Sequence, residues 1–422
     1  MRGLRRSRRL AALAGTLALA IALAACSSDD TVTLPLPDQV DAAIPADVQG
    51  QLQTAVERAM AASGASGALV EVRVPWSGVW AAGSGSVSPG GSAVDDAMTF
   101  HAGAVTRAMT CDVLYGLVHD GVVSLDDTAG KYVTGLGSEE PGGPSDVTLG
   151  QLCDSTSGMA SFAGLIDSRV RATPERQWNP RELLGFGMSR ASSGQPGTVF
   201  ADSDTGYVLL GLALERATGK SSDDLFAQYV FAPNGMRGSS LENGTSAELE
   251  GLWTGTAADG TAACTAPTPI VGLSSSAGFT ASGVVSDLVD LSQYVQALAL
   301  GVRAYDAPGR FENPLPAIPN GPSWFTARGG AYQAGSLVGQ YGSVTGALTA
   351  AFADRNTGMS VVVTLNNSRA SADLIRSLAW ELAAIASKAP AASGRTAPQA
   401  GLPWTAEDMA AQVAAAAVCP IP

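Results

Sequence analysis

The chain has 422 residues, 46% of them hydrophobic and 15% charged, which is enough to bury a large core as one big domain or two. Its 49 glycines and 23 prolines are spread without a period, so a collagen-like repeat, bulk disorder and a solenoid are all excluded. The net charge of −13 comes with no visible cluster of Lys and Arg, which argues against a nucleic-acid partner.

In chain order, residues 1–25 carry five arginines (Arg2, Arg5, Arg6, Arg8, Arg9) and then an apolar run from Leu10 to Ala25. A positive start followed by a short apolar stretch and small residues reads as an export signal, too short for a spanning helix. Leu23-Ala24-Ala25-Cys26 resembles the bacterial lipobox, which makes Cys26 the expected lipid anchor and the outer face of the cell membrane the expected location. Ser7-Arg8-Arg9-Leu10 is a weak match to a twin-arginine signal, so the export route stays open. Without the signal the chain holds 20 basic and 38 acidic residues, a net of −18. Residues 26–45 are small, polar and Pro-bearing, a tether.

The domain is expected over 46–387. Ala46 to Ala62 has apolar residues at helical spacing (Val48, Leu52, Val56, Met60) before Gly64, and Ala68 to Val74 alternates as a strand does. Thr106 to Asp120, Ser221 to Phe231 and Ser286 to Gly301 read as helical. Ala347 to Ala353 and Met359 to Leu365 read as two strands joined by a turn containing Gly358. A helix over Ser371 to Ser387 follows. These elements predict an α+β fold: an antiparallel sheet flanked by terminal helices, with an all-helical region inserted. Residues 388–422 read as an Ala/Pro-rich, partly helical tail. Cys111, Cys153, Cys264 and Cys419 remain besides Cys26, an even number that suggests two disulfides in an oxidising compartment. With two histidines, His101 and His119, and no Cys-x-x-Cys pair, neither a zinc site nor a cofactor is expected.

The phrases that bear on chemistry occur in a fixed order. Phe100-His101-Ala102-Gly103-Ala104-Val105-Thr106-Arg107 opens a helix, and Gly121-Val122-Val123-Ser124-Leu125-Asp126-Asp127 closes it. Thr156-Ser157-Gly158-Met159, Phe200-Ala201-Asp202-Ser203-Asp204-Thr205-Gly206-Tyr207, Phe231-Ala232-Pro233-Asn234-Gly235-Met236 and Gly339-Gln340-Tyr341-Gly342 follow. Together they closely resemble the serine β-lactamase-like family, including class C β-lactamases, D-alanyl-D-alanine carboxypeptidases and related esterases, over roughly 340 residues.

The resemblance implies a helix-start serine, a lysine one turn later, a Tyr-x-Asn segment and a Lys-Thr-Gly or His-x-Gly strand. At those positions stand Ala104, Arg107, Asp202 with Asp204, and Gln340, while Gly342 is kept. Ala104 has no nucleophilic atom, and a guanidinium is no base. The resemblance also brings Arg107 near Asp202 and Asp204, giving an ion-paired pocket of about −1 that repels carboxylates. Ala104 and Gln340 would line the same cleft. It further pairs Cys111 with Cys153, leaving Cys264 and Cys419. Thr106, Thr110, Ser155 and Ser203 are the hydroxyls near enough in sequence to act as a relocated nucleophile. The expected protein is a catalytically degenerate, lipid-anchored member that binds a cell-envelope component or a neutral or cationic small ligand. The alternative is a serine-type hydrolase (carboxypeptidase, β-lactamase or esterase) with relocated residues.

Overall fold

Strand runs whose two faces are both apolar need cover on both sides, and here the sheet has it. The computed structural model describes residues 34–136, 143–192, 194–242, 247–398 and 401–421. Its main sheet has eight antiparallel strands in the order Gly78–Gly85, Gly67–Val74, Ser360–Leu365, Ala347–Asp354, Leu337–Val344, Ala331–Ala334, Phe325–Arg328 and Leu315–Pro316. The first sheet strand thus pairs with the last, Val70 opposite Val363. The turn containing Gly358 sets Ala350 opposite Val363 in the neighbouring pair.

Because side chains alternate along a strand, the sheet divides two cores. Val361, Val363 and Leu365 face one with the helices Ala46–Ser63 and Ala372–Ala386. Val362, Val338 and Ala351 face the other, which holds the inserted helices Val105–His119, Asp204–Thr218 and Leu288–Leu300. The α+β arrangement read from the sequence is the one observed. Val105–His119 is buried from Val105 through Leu117, so it has no solvent face and every polar group on it needs a partner.

Both ends of the expected domain move outward. Residues 34–45 are not a free tether: the Ile44 amide donates to the Val79 carbonyl at 3.2 Å, the Val40 amide to Pro75 at 3.1 Å, and Ile44 is fully buried. Nor is 388–422 a loose tail. Trp404 stacks on Trp380 with ring centroids 4.8 Å apart, and its indole N–H donates to the Trp380 carbonyl at 3.0 Å. A helix Ala406–Ala415 follows, opened by a Thr405/Asp408 capping box. A disulfide joins Cys419 to Cys264, and the 418 and 419 amides both donate to the Ala62 carbonyl. Two tryptophans and a cysteine do this anchoring, and Ala/Pro-rich composition conceals it. The signal segment and Cys26 lie outside the described residues.

Candidate functional site

The central helix begins at Val105, with Ala104 as its N-cap. Gly103, at φ 54°, makes the turn into it. Gly342 lies directly opposite on the sheet, where a Cβ would stand 2.5 Å from the Ala104 methyl. Sheet and helix start therefore touch, and the methyl of Ala104 is 1% exposed. One turn on, the Arg107 guanidinium is held from both sides. One terminal nitrogen donates to an Asp202 carboxylate oxygen, and the other donates to Asp204 Oδ1 at 2.7 Å. Asp204 is the first residue of helix Asp204–Thr218, and Ser203 caps that helix by accepting from the Gly206 amide at 3.3 Å. A helix N-terminus favours a carboxylate.

The Ser161 hydroxyl donates to the other Asp204 oxygen. Burial alone would raise the Asp204 carboxyl, but Arg107 and Ser161 outweigh it and hold it below the usual carboxylate range. Burial would likewise lower Arg107; Asp202 and Asp204 outweigh that and keep its pKa well above the ordinary value. The Arg107 side chain is 7% exposed, Asp204 13% and Asp202 40%. Asp204 is thus the deep partner and Asp202 the outer one. Neither ion has proton-transfer capacity near neutral pH: the arginine does not give its proton up and the carboxylate does not take one.

Contrary to the expectation from the sequence, Gln340 does not share a cleft with Ala104, which is 1% exposed. It shares a strand face with Gly342, but its amide N–H donates to the Gly330 carbonyl at 3.0 Å and its carbonyl accepts from the Tyr341 amide at 3.1 Å. Local backbone partners thus satisfy the buried amide. The four candidate hydroxyls are also committed. Thr106 accepts from the Val284 amide, and Thr110 donates to the Thr280 carbonyl at 2.6 Å. Ser155 donates to the Tyr207 hydroxyl at 3.0 Å, while Ser203 is the helix cap. All four are buried.

Sequence reasoning missed three features. Ser161 bonds Asp204 from a stretch with no distinguishing pattern. The open cleft, of about 290 Å³, lies beside Asp204 and runs between helix Ala163–Ala172 and the strand edge at Ser343–Thr345, with Trp253 at one side. Asp112, fully buried in the central helix, takes bonds from Arg303 and Tyr294, at 2.7 Å each, and from Arg310; Arg303 also pairs with Asp306. An aspartate inside the apolar run Met109 to Leu117 was the available signal for this network. The second bridge joins Cys111 to Cys153, tying the central helix to the segment before Ser155.

The beta-lactamase family profile matches residues 52–384. "Penicillin-binding protein 4" of Amycolatopsis lactamdurans is 30% identical over 149 residues, 35% of this chain and 37% of that protein. A D-aminopeptidase of Cereibacter sphaeroides is 26% identical over 144 residues, 34% of this chain and 26% of its own length. The chain thus spans well under half of these relatives. A D-stereospecific amidohydrolase from Streptomyces sp. superposes with TM-score 0.66 at 21% identity, covering 76% of this chain and 95% of that one, which is a likeness of fold. With a matched profile that takes in the central helix, the Arg107 pocket and the sheet alike, the chain belongs to the beta-lactamase family.

Proposed function

We propose that this family member is an exported lipoprotein, anchored through Cys26 at the outer face of the cell membrane, that has given up acyl-enzyme chemistry and acts as a binding or scaffold protein of the cell envelope. The observation that carries the reading is the occupied Arg107. Where the family's resemblance calls for a serine and a lysine, an alanine methyl abuts Gly342, and a guanidinium is clamped by Asp204 and Asp202. Serine catalysis needs a nucleophile and a base of matched pKa, and the pocket offers an ion pair instead. The test is incubation of purified protein with fluorescent penicillin, a chromogenic β-lactam and a short-chain ester. No labelling and no turnover above a boiled control are expected; either one would overturn the reading.

A second reading, a hydrolase with relocated residues, is favoured by one contact, Ser161 to Asp204, and by the hydrolytic name of the D-aminopeptidase relative. Against it stands the direction of the Asp204 shift: a carboxylate held low by Arg107 is a weak base. Ser161→Ala abolishing a measured turnover would establish this alternative.

A further inference from the structure

The two disulfides sit in opposite settings. Cys111 and Cys153 are 0% and 1% exposed, within the core between the central helix and the segment before Ser155. Cys264 is half-buried, in the loop that joins the short strands Gly251–Trp253 and Thr268–Ile270, and no residue from Gly255 to Pro269 is buried. The base of this hairpin is fixed to the body. The Leu252 amide donates to the Gly346 carbonyl at 3.1 Å, in a contact so close that a Cβ on Gly251 would stand 2.7 Å from the Gly346 Cα. The Thr254 hydroxyl accepts from the Asn367 side-chain amide at 2.7 Å. The tip is held differently. Its backbone bonds close on the loop itself, the Ala257 amide on Thr261 at 2.8 Å and the Ala263 amide on Gly255 at 3.0 Å. Outside the loop, among the described residues, Thr256 accepts a long bond from Arg369 at 3.4 Å, and the covalent tie is the bridge to Cys419. Cys419 is the firm end: it is 6% exposed, its amide donates to the Ala62 carbonyl at 3.1 Å, and its sulfur packs on Gly64.

We propose that the Cys264–Cys419 bridge is a thiol-sensitive clasp: a dithiol reductant opens it at Cys264 and frees the hairpin tip, while Cys111–Cys153 and the fold around it stay intact. A segment without buried side chains opens at little cost, so the covalent tie is what fixes the tip. Exchange requires a thiolate to reach one sulfur of the bridge, and Cys264 offers the more accessible one. The attacking thiolate bonds to Cys264 Sγ, the S–S bond breaks, and Cys419 leaves as a thiolate that takes up a proton. The second thiol of the reductant then displaces Cys264, so two electrons and two protons pass to the cysteines and the reductant departs as its own disulfide. The inference concerns this bridge alone and is independent of whether the Arg107 pocket binds or catalyses.

The experiment is graded reduction of the full chain in detergent, without denaturant, by dithiothreitol at neutral pH, with free thiols blocked by N-ethylmaleimide and located by peptide mass mapping. Cys264 and Cys419 are expected to be labelled at a reductant concentration about tenfold or more below that needed for Cys111 and Cys153. In the protein reduced at that one bridge, hydrogen exchange over 255–267 should rise about tenfold or more, while the helix Val105–His119 keeps its protection. Cys264→Ser should show the same exchange pattern with no reductant added. A thioredoxin-type protein whose second active-site cysteine is replaced by serine should be trapped as a mixed disulfide on Cys264. Opening of the bridge only together with Cys111–Cys153, unchanged exchange over 255–267 once it is open, or trapping on Cys419 instead would each overturn the proposal.

Discussion

Removing Arg107 tests whether its pocket is a compensated structure. In Arg107→Ala, the Asp204 carboxylate, 13% exposed, keeps only the Ser161 hydroxyl as a bonded side chain, while Asp202, 40% exposed, is rehydrated in place. Losing one partner of a largely buried pair costs about 3–5 kcal/mol because the remaining charge stays out of water. A half-exposed pair contributes about 0–1 kcal/mol. The expected loss for Arg107→Ala is therefore about 3–5 kcal/mol, with Asp204→Asn close behind and Asp202→Asn at or below about 1 kcal/mol. Urea unfolding of each variant at neutral pH and low salt measures this, and the double variant Arg107→Ala/Asp204→Asn isolates the coupling. A loss under about 1 kcal/mol for Arg107→Ala, or an Asp202→Asn loss equal to that of Asp204→Asn, would refute the account and make the substitutions unrelated drift.

Ala104→Ser should not acquire acylation, because Arg107 keeps its proton and Asp204 is held low; labelling of this variant by fluorescent penicillin would show a base that the geometry does not supply. Replacing Cys264 and Cys419 together by serine should cost about 2–5 kcal/mol and increase proteolysis after residue 388, and an unchanged cleavage pattern would show that Trp404 holds the C-terminal segment without the bridge. Cys26→Ala should yield a soluble or uncleaved form where the wild type partitions into detergent, and wild-type protein free in the medium with another N-terminus would remove the anchor.

The sheet and its flanking helices were legible because periodicity reports burial. Apolar residues at helical spacing in 46–62 and strand runs in 347–353 and 359–365 each fell within a residue or two of the observed elements. Arg107, Asp202 and Asp204 could be brought together because the resemblance to the serine β-lactamase-like family implied one pocket for those motif positions. Gln340 went astray for a local reason: its strand face was right, but a side-chain amide takes whichever backbone partners are nearest, here Gly330 and Tyr341. The C-terminal segment was underestimated because composition averages over residues. Among its alanines and prolines, Trp404 and Cys419 do the anchoring. The cleft was out of reach for another reason, since its walls come from 162–170, 204, 253 and 343–345, joined only by the tertiary fold.

His101 gives a prediction about pH that is independent of the pocket's ion pairs. It lies on a short strand paired with Val285–Ser286, its carbonyl accepts from the Thr349 hydroxyl at 2.8 Å, and its Nδ1 is buried with no hydrogen-bond partner among the described residues. Burial pushes the imidazole down to about 4, from 6.5 for the free side chain. A depressed histidine is neutral in the fold while the unfolded chain takes a proton, so stability is unaffected above about pH 6.5 and falls as pH drops from there towards 4. The full difference is about 3 kcal/mol. Asp204, held low, works in the same direction. Asp223, raised to about 6 chiefly by burial and then by Glu242, Glu215 and Asp224, works in the opposite one. The histidine's share is isolated by difference: His101→Gln and His101→Leu carry no titrating group, so the slope of stability between pH 6.5 and 4.5, followed by urea unfolding, should flatten in both. If both variants keep the wild-type slope, the acid sensitivity belongs to the carboxylates, and the buried imidazole is already charged or solvated in the fold.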